Sequence, residues 1–369
     1  MAAPTQPTLD PAAREVLERV PGRRPFRRGP VSGVWRPRNV LVLVASFVVL
    51  VLAVALNVGR GEFPIGIPDV LATLFGGGDP SQQFIILELR LPRSLTGLLV
   101  GGALAVSGAI MQSIARNPLA SPDIIGITWG ASAAAVTLIV LGGAGLVGAL
   151  AAVGLPIAAL IGGLVAAIVI YGLAWRKGIQ GFRLVLVGIG INAMLVAVVN
   201  WLLIVAQVYE AARATVWING SLNARGWEHV VPVGIALLVL VPAALVLSFV
   251  MGALQYGDDT ARGLGVRVDR SRSLLLLVAV VLAAVATASA GPIAFVALVS
   301  PQIAQRLVGS SRPPVGASLV IGAALTVLAD LIARTAFGGV ELPVGVVTAV
   351  LGAPYLLYLL VRQGREARA

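Results

Sequence analysis

The 369-residue chain has no cysteine and a single histidine, His229. Without cysteine there are no disulfides, thiolate metal sites, sulfur nucleophiles or iron–sulfur ligands. One histidine leaves too few imidazoles for a transition-metal site or a metal permease lined by them. Charge is scarce too: Asp, Glu, Lys and Arg make up 12% of residues, about half the roughly 25% of soluble domains. No G-x-x-x-x-G-K-[ST] loop is present to cradle a nucleotide, and no H-E-x-x-H or Ser/His/Asp set to support hydrolysis. A soluble globular protein and an integral-membrane enzyme are both excluded.

What the chain has is apolar sequence, 58% of all residues. A bilayer span takes about 20 apolar residues, and ten candidate runs follow one another: 40–58, 94–114, 122–145, 149–174, 184–208, 230–251, 273–290, 293–308, 315–336 and 343–361. The first run is longer than the apolar region of a cleaved signal peptide and reads as a retained span. The eighth is short and carries Pro301, Gln302, Gln305 and Arg306, a pattern shared by amphipathic surface helices. The expected fold is all-α, a polytopic membrane protein of ten transmembrane helices over 39–362. A Pro- and Arg-rich arm (1–38) without apolar periodicity is expected to be disordered, and 363–369 forms a short tail.

The basic residues orient this topology. With the N-terminus inside, 21 of the 27 fall in the arm, the even-numbered connections and the tail, and 6 fall outside. The acidic residues divide evenly. Both termini are therefore expected in the cytoplasm, and topology accounts for the net charge of +11 without a nucleic-acid partner. The six outside are Arg60, Arg90, Arg93, Arg213, Arg225 and Arg334.

Ion-driven carriers keep ionisable residues within their spans. Here Asp330 is the candidate, and Arg334, one turn along the same face, reads as its local ion pair. An energy source is expected on another chain. Asn192 and Asn200, near one face of the fifth span, suit either a polar path or interhelical hydrogen bonds. The small-residue stretches Val100–Gly108 and Ile321–Val327 look alike, a likeness that this composition produces easily by chance. In the longest inner connection, 255–270, Asp258 or Asp259 suits the cap of a short helix and Gly265 its end. Ala261 and Gly263 there are small enough to admit a partner's surface. From composition, a solvated loop fits as well as a docking helix.

Several motifs are more specific. They run Leu89-Arg-Leu-Pro-Arg93, Ser107-Gly-Ala-Ile-Met-Gln112, Arg116-Asn-Pro-Leu-Ala-Ser-Pro122 and Gly126-Ile-Thr-Trp-Gly-Ala131. Then come Trp217-Ile-Asn-Gly-Ser-Leu222, Ala261-Arg-Gly-Leu-Gly-Val266 and Ala290-Gly-Pro-Ile-Ala-Phe-Val296. Ala329-Asp-Leu-Ile-Ala-Arg334, Glu341-Leu-Pro-Val-Gly-Val-Val-Thr348 and Leu351-Gly-Ala-Pro354 complete the series. In this order, across roughly 85–360, the sequence resembles the FecCD family, the permease subunits of bacterial ATP-binding-cassette importers for ferric siderophores, haem and cobalamin. It departs at Ser300-Pro-Gln-Ile303, where Gln302 stands in place of the family's usual His.

The resemblance implies a type II importer permease in the cytoplasmic (inner) membrane. The partners it implies are a cytoplasmic ATPase dimer, a second permease subunit (a homologous chain slightly favoured over a second copy) and an extracytoplasmic substrate-binding lipoprotein. The expected substrate is a ferric siderophore, with haem or cobalamin as the alternative and an ion-driven carrier as the reading from another class. The chain itself is expected to bind no cofactor, ATP and Mg belonging to the ATPase. By motif, Arg90, Arg93 and Arg334 would receive acidic residues of the binding protein, unless they anchor helix ends at the lipid interface. Asn117, Pro118 and Leu119 would form the cytoplasmic gate, unless they are a plain turn. Asp258, Asp259, Ala261, Arg262, Gly263, Leu264 and Gly265, within 257–268, would form the coupling helices seated in the ATPase.

Overall fold

The computed structural model describes residues 24–28, 31–35, 37–61, 63–143, 154–175, 181–338 and 340–366. Residues 1–23 of the arm, the 176–180 connection with Arg176 and Lys177, and tail residues 367–369 lie outside the described residues. Among the arm's described residues, β1 (Arg24–Arg28) and β2 (Val31–Trp35) pair as an antiparallel hairpin.

Helices stand at all ten expected spans. They are α1 (Pro37–Gly59), α4 (Leu91–Ala115), α6 (Ile127–Gly143), α7 (Leu155–Ala174), α8 (Gly181–Val205), α10 (Trp227–Leu254), α12 (Val268–Ala290), α13 (Val296–Val308), α14 (Val315–Thr335) and α15 (Val344–Glu366). Between them lie α2 (Ile67–Leu74), α3 (Pro80–Gln83), α5 (Pro122–Ile125), α9 (Val208–Ile218) and α11 (Asp258–Gly263). Seven stretches are long and apolar enough to cross a bilayer, and α6 and α15 have shorter apolar parts, Ile127–Gly142 and Val344–Leu359. The eighth span is a short helix: α13 has 13 residues, about 20 Å at 1.5 Å per residue, against a hydrocarbon core of about 30 Å.

Irregular backbone precedes α13, and other backbone covers it, as non-helical chain inside a membrane protein requires. Ser221 N–H donates to Ala290 O at 2.8 Å, and Gly345 N–H donates to Gly220 O at 3.2 Å. A Cβ on Gly220 would lie 2.2 Å from Pro292 O, and one on Gly345 would lie 3.1 Å from it.

The core is built on α4, whose side chains from Pro92 to Ile114 are buried on nearly every face. Around it pack α10, α12, α13 and α14. The two look-alike stretches meet at the α4–α14 crossing, where a Cβ on Gly101 would come 2.4 Å from Gly322 O and one on Gly322 would come 2.5 Å from Gly101 O. Small residues thus bring these backbones into contact, the device membrane helices use where lipid offers no hydrophobic drive to associate. The outer helices show the inverse pattern, with Phe47 on α1, Leu186 and Ile204 on α8 and Leu238 and Phe249 on α10 exposed. Apolar side chains facing outward along long helices suit acyl chains, and the protein is a multi-pass membrane protein.

Candidate functional site

Polar chemistry gathers at the two ends of the bundle. At one end the last turn of α1, the start of α4 and the end of α14 come together. Arg93 donates from Nε to both Asp330 oxygens at 3.2 Å and from Nη2 to Oδ1 at 2.9 Å. Its Nη1 reaches both Glu341 oxygens at 3.3 Å. Arg334 pairs with Asp330 at 3.6 Å, donates from Nη2 to Asn57 O at 2.7 Å and also reaches Asn57 Oδ1. Asn57 Nδ2 donates to Asp330 Oδ2 at 3.1 Å. Arg90 donates to Val58 O at 3.0 Å and to Phe63 O at 2.7 Å, bracing the chain that leaves α1.

The local Asp330–Arg334 pair is therefore present within a larger network. The three arginines are not displayed as free cations, however: Arg90 is 8% exposed and Arg93 9%. A buried guanidinium needs partners for its donors, and here the chain's own carboxylates, carbonyls and amide supply them. Glu341, with 43% of its side chain exposed, is the network's opening to solvent. The approach to α4 is helical as well, through α3 and a π-helical turn, Phe84–Arg90.

The same end carries a short helix that falls between the expected spans. α9 begins after Gln207, whose N–H donates to the Glu210 carboxylate at 3.3 Å. This short amphipathic helix borders a cavity of about 600 Å³ lined by Tyr209, Arg213, Trp217, Arg225 and Glu341 among others. Asn192 is half-buried with no partner for Oδ1, whereas Asn200 is exposed.

At the opposite end, α4 stops at Arg116, which takes a left-handed conformation (φ 49°, ψ 34°). The turn that follows is held by its own asparagine: Asn117 Oδ1 accepts from Leu119 N–H at 2.9 Å, an Asx-turn. Asn117 and Pro118 border a cavity of about 390 Å³ with Gln112, Gln255, Gln302 and Gln305. Gln302 is engaged there: its Nε2 donates to Gln112 Oε1 at 2.6 Å, while Gln112 Nε2 donates to Leu298 O at 3.0 Å. The amide at this position thus joins α13 to α4.

The 257–268 segment forms one short helix, α11, and its residues divide by face. Asp259, Arg262, Gly263, Leu264 and Gly265 are exposed, Leu264 by 66%. Asp259 pairs locally with Arg262 at 3.0 Å. Two expectations are corrected here. Ala261 is fully buried against the bundle, so it is not open to a partner. Neither aspartate caps the helix, because Gly257 is the N-cap residue. Asp258 Oδ1 instead accepts from Arg116 Nη2 and Arg272 Nη2, each at 2.6 Å, and its Oδ2 accepts from Arg272 Nη1 at 2.9 Å. Arg272, and after it Arg116, hold this carboxyl below the usual carboxylate range against the opposing effect of partial burial. Gly265 does help end the helix: it has φ 82°, its N–H donates to Arg262 O, and Val266 N–H donates to Ala261 O.

Among the described residues no cluster of three His, Cys, Asp or Glu could hold a metal. The arrangement offers a dense helical bundle with an ion network at one end, and an exposed helix beside a sharp turn at the other.

Known proteins are similar to this chain. The chain is 44% identical over 326 residues to the ferric enterobactin transport system permease protein FepG of Escherichia coli, covering 88% of this chain and 96% of that protein. It is 42% identical to the achromobactin transport system permease protein CbrC of Dickeya dadantii (87% and 91% covered). It is 38% identical to the iron(3+)-hydroxamate import system permease protein FhuG of Bacillus subtilis (88% and 98%). A solved structure of an inward-facing metal-chelate type ABC transporter superposes with a TM-score of 0.77 at 27% identity, over 87% of this chain and 99% of that one. With the FecCD transport family matching residues 49–362, essentially the whole helical bundle, the chain belongs to that family of ABC transporter permeases.

Proposed function

We propose that this chain is the permease subunit through which an ATP-driven importer carries a ferric siderophore across the bacterial cytoplasmic membrane. The observation that carries the reading is the alignment, over 87% or more of the chain, with permeases named for ferric enterobactin, achromobactin and iron-hydroxamate transport. The α11 end faces the cytoplasm, a reading supported by the excess of arginine in the segments at that end. ATP and Mg are handled by a separate ATPase dimer, and a second permease, a homologous chain in preference to a second copy, completes the path.

α11 is the element that meets the ATPase, through the exposed Asp259, Arg262, Gly263 and Leu264. No neighbouring atom lies within 4 Å of a Cβ built on Gly263, so a partner's surface has room to close over it. The Asn117–Leu119 turn is the cytoplasmic gate; its self-bonded geometry and the adjoining polar cavity support that role. The substrate-binding protein docks at the opposite end, above the arginine network. Arg93 is the arginine an acidic residue of that protein reaches, by displacing Glu341 from Nη1, while Arg90 and Arg334 stiffen the platform beneath.

Uptake of radiolabelled ferric enterobactin, ferric hydroxamate and cobalamin by a deletion strain and its complemented parent tests the reading. Loss and restoration of a ferric siderophore alone supports it. Loss of cobalamin uptake alone assigns the chain to the other branch of the family.

A further inference from the structure

The helix assigned to the ATPase and the turn assigned to the gate are joined through one carboxylate. Asp258 opens α11 and receives three short, charge-assisted hydrogen bonds from two arginines on different elements. Arg272, near the start of α12, is 5% exposed and ties Asp258 to the body of the bundle. Arg116 is the last residue before the gate turn, and its Nε also donates to Leu254 O at 2.9 Å. Its guanidinium therefore grips the chain on both sides of Gly257, at the end of α10 and at the start of α11. Glycines with positive φ bracket α11, Gly257 at 104° and Gly265 at 82°, so the helix sits between two points where the backbone can swing.

The backbone of Arg116 is left-handed, with φ 49° and ψ 34°. A left-handed conformation is disfavoured for a residue with a Cβ and persists where surrounding contacts hold it. Backbone bonds from the Arg116 and Asn117 N–H groups to Gln112 O close the end of α4, and the Arg116 side chain adds contacts to Leu254 and Asp258. Releasing Asp258 removes one of these contacts from the residue that sets the direction of Asn117.

We propose that Asp258 is a positioning residue that couples the two sites: displacement of α11 by the ATPase acts on Arg116 through Asp258 and so shifts the Asn117–Leu119 turn, while Arg272 keeps Asp258 in register with α12. The proposal rests on the assignments of α11 and the turn made above.

The test uses the full complex of both permeases, the ATPase and the binding protein in proteoliposomes, with ferric enterobactin as the probe and uptake per ATP hydrolysed as the readout. Arg116→Gln and Asp258→Asn are each expected to lower that ratio by about fivefold, within the range of coupling effects between contacting residues. The double variant is expected to fall no further, because both changes break the same contact, and Asp258→Glu to recover part of the loss. An unchanged ratio, or losses that multiply in the double variant, overturns the proposal.

A second measurement keeps the question open to refutation if a variant assembles poorly. The chain has no native cysteine, so spin labels at Leu119→Cys and at Gly172→Cys, on α7 with open space around it, report one distance. On adding ATP, that distance is expected to change with Asp258 present and to stay fixed with Asp258→Asn. Equal movement in both backgrounds overturns the coupling role. No movement even with Asp258 present overturns the gate assignment and the proposal with it, and loss of ATPase binding is read separately by co-purification.

Discussion

Arg93 and Asp330, 237 positions apart in sequence, meet within hydrogen-bond distance at the end of the bundle opposite α11, the carboxylate 1% exposed and the guanidinium pressed against it at 2.9 Å. Removing one member of a buried pair strands the other, at a cost of about 3–5 kcal/mol. Arg93→Ala and Asp330→Ala are expected to lower the unfolding midpoint of the detergent-solubilised protein sharply. Arg93→Glu, which sets three carboxylates together, is expected to prevent accumulation of folded protein. Glu341→Gln removes a half-exposed partner and is expected to cost about 1 kcal/mol or less, while improving access to Arg93 and so tightening docking of the binding protein. A Glu341→Gln variant as unstable as Asp330→Ala contradicts this division.

The α4–α14 crossing gives a steric prediction. Gly101→Val forces a side chain into the backbone of Gly322, and overpacking of this kind costs about 1–3 kcal/mol or more. Gly190→Ala, on α8 where a Cβ has open space, is expected to be neutral or to stabilise by about 0.5–1 kcal/mol through helix propensity. Thermal unfolding of the two variants side by side decides it, and equal effects would mean the helices do not cross there.

Asp258 gives a pH prediction whose sign follows from its direction of shift. Its folded pKa lies below the ordinary value, so its contribution is complete above about pH 4 and is lost as pH falls through the folded value. A spin label at Gly263→Cys is expected to show unchanged mobility from about pH 8 to pH 5 and greater mobility only below about pH 4. Asp258→Asn is expected to be mobile throughout. A transition near neutral pH would place the ordering of α11 on another group.

Much of this structure was legible in the amino-acid order. The seven long spans fall on helices because a run of about 20 apolar residues has few alternatives in a bilayer. What escaped depends on partners distant in sequence. Arg90 and Arg93 fall ahead of the second span as read from the sequence, yet the chain is already helical there, where Asp330, Glu341 and the carbonyls of Val58 and Phe63 satisfy the arginines. Asp258 had the right residue type and position for a cap, but two arginines beyond the loop claim its oxygens. Ala261 faces inward by its place on α11, which composition does not reveal. α9 was findable from Glu210 three residues after Gln207 together with its amphipathic pattern, although it is too short to register as a span.

The gate assignment has its own consequence. A turn that seals the path tolerates no charge at its apolar tip, so Leu119→Asp is expected to leave the complex assembled and hydrolysing ATP while substrate uptake falls at least about tenfold. Assembly by size exclusion and uptake in proteoliposomes check both halves, and full uptake by the variant would move the gate elsewhere.

The central claim is that this chain is a siderophore permease driven by a partner's ATP hydrolysis. Its most direct test is uptake of radiolabelled ferric enterobactin into proteoliposomes that hold the chain with its permease partner, ATPase and binding protein. The account predicts accumulation only with ATP inside a complete complex, abolished when Gly263→Trp blocks the face of α11. Accumulation driven by an imposed proton or sodium gradient, with the ATPase left out, would contradict it.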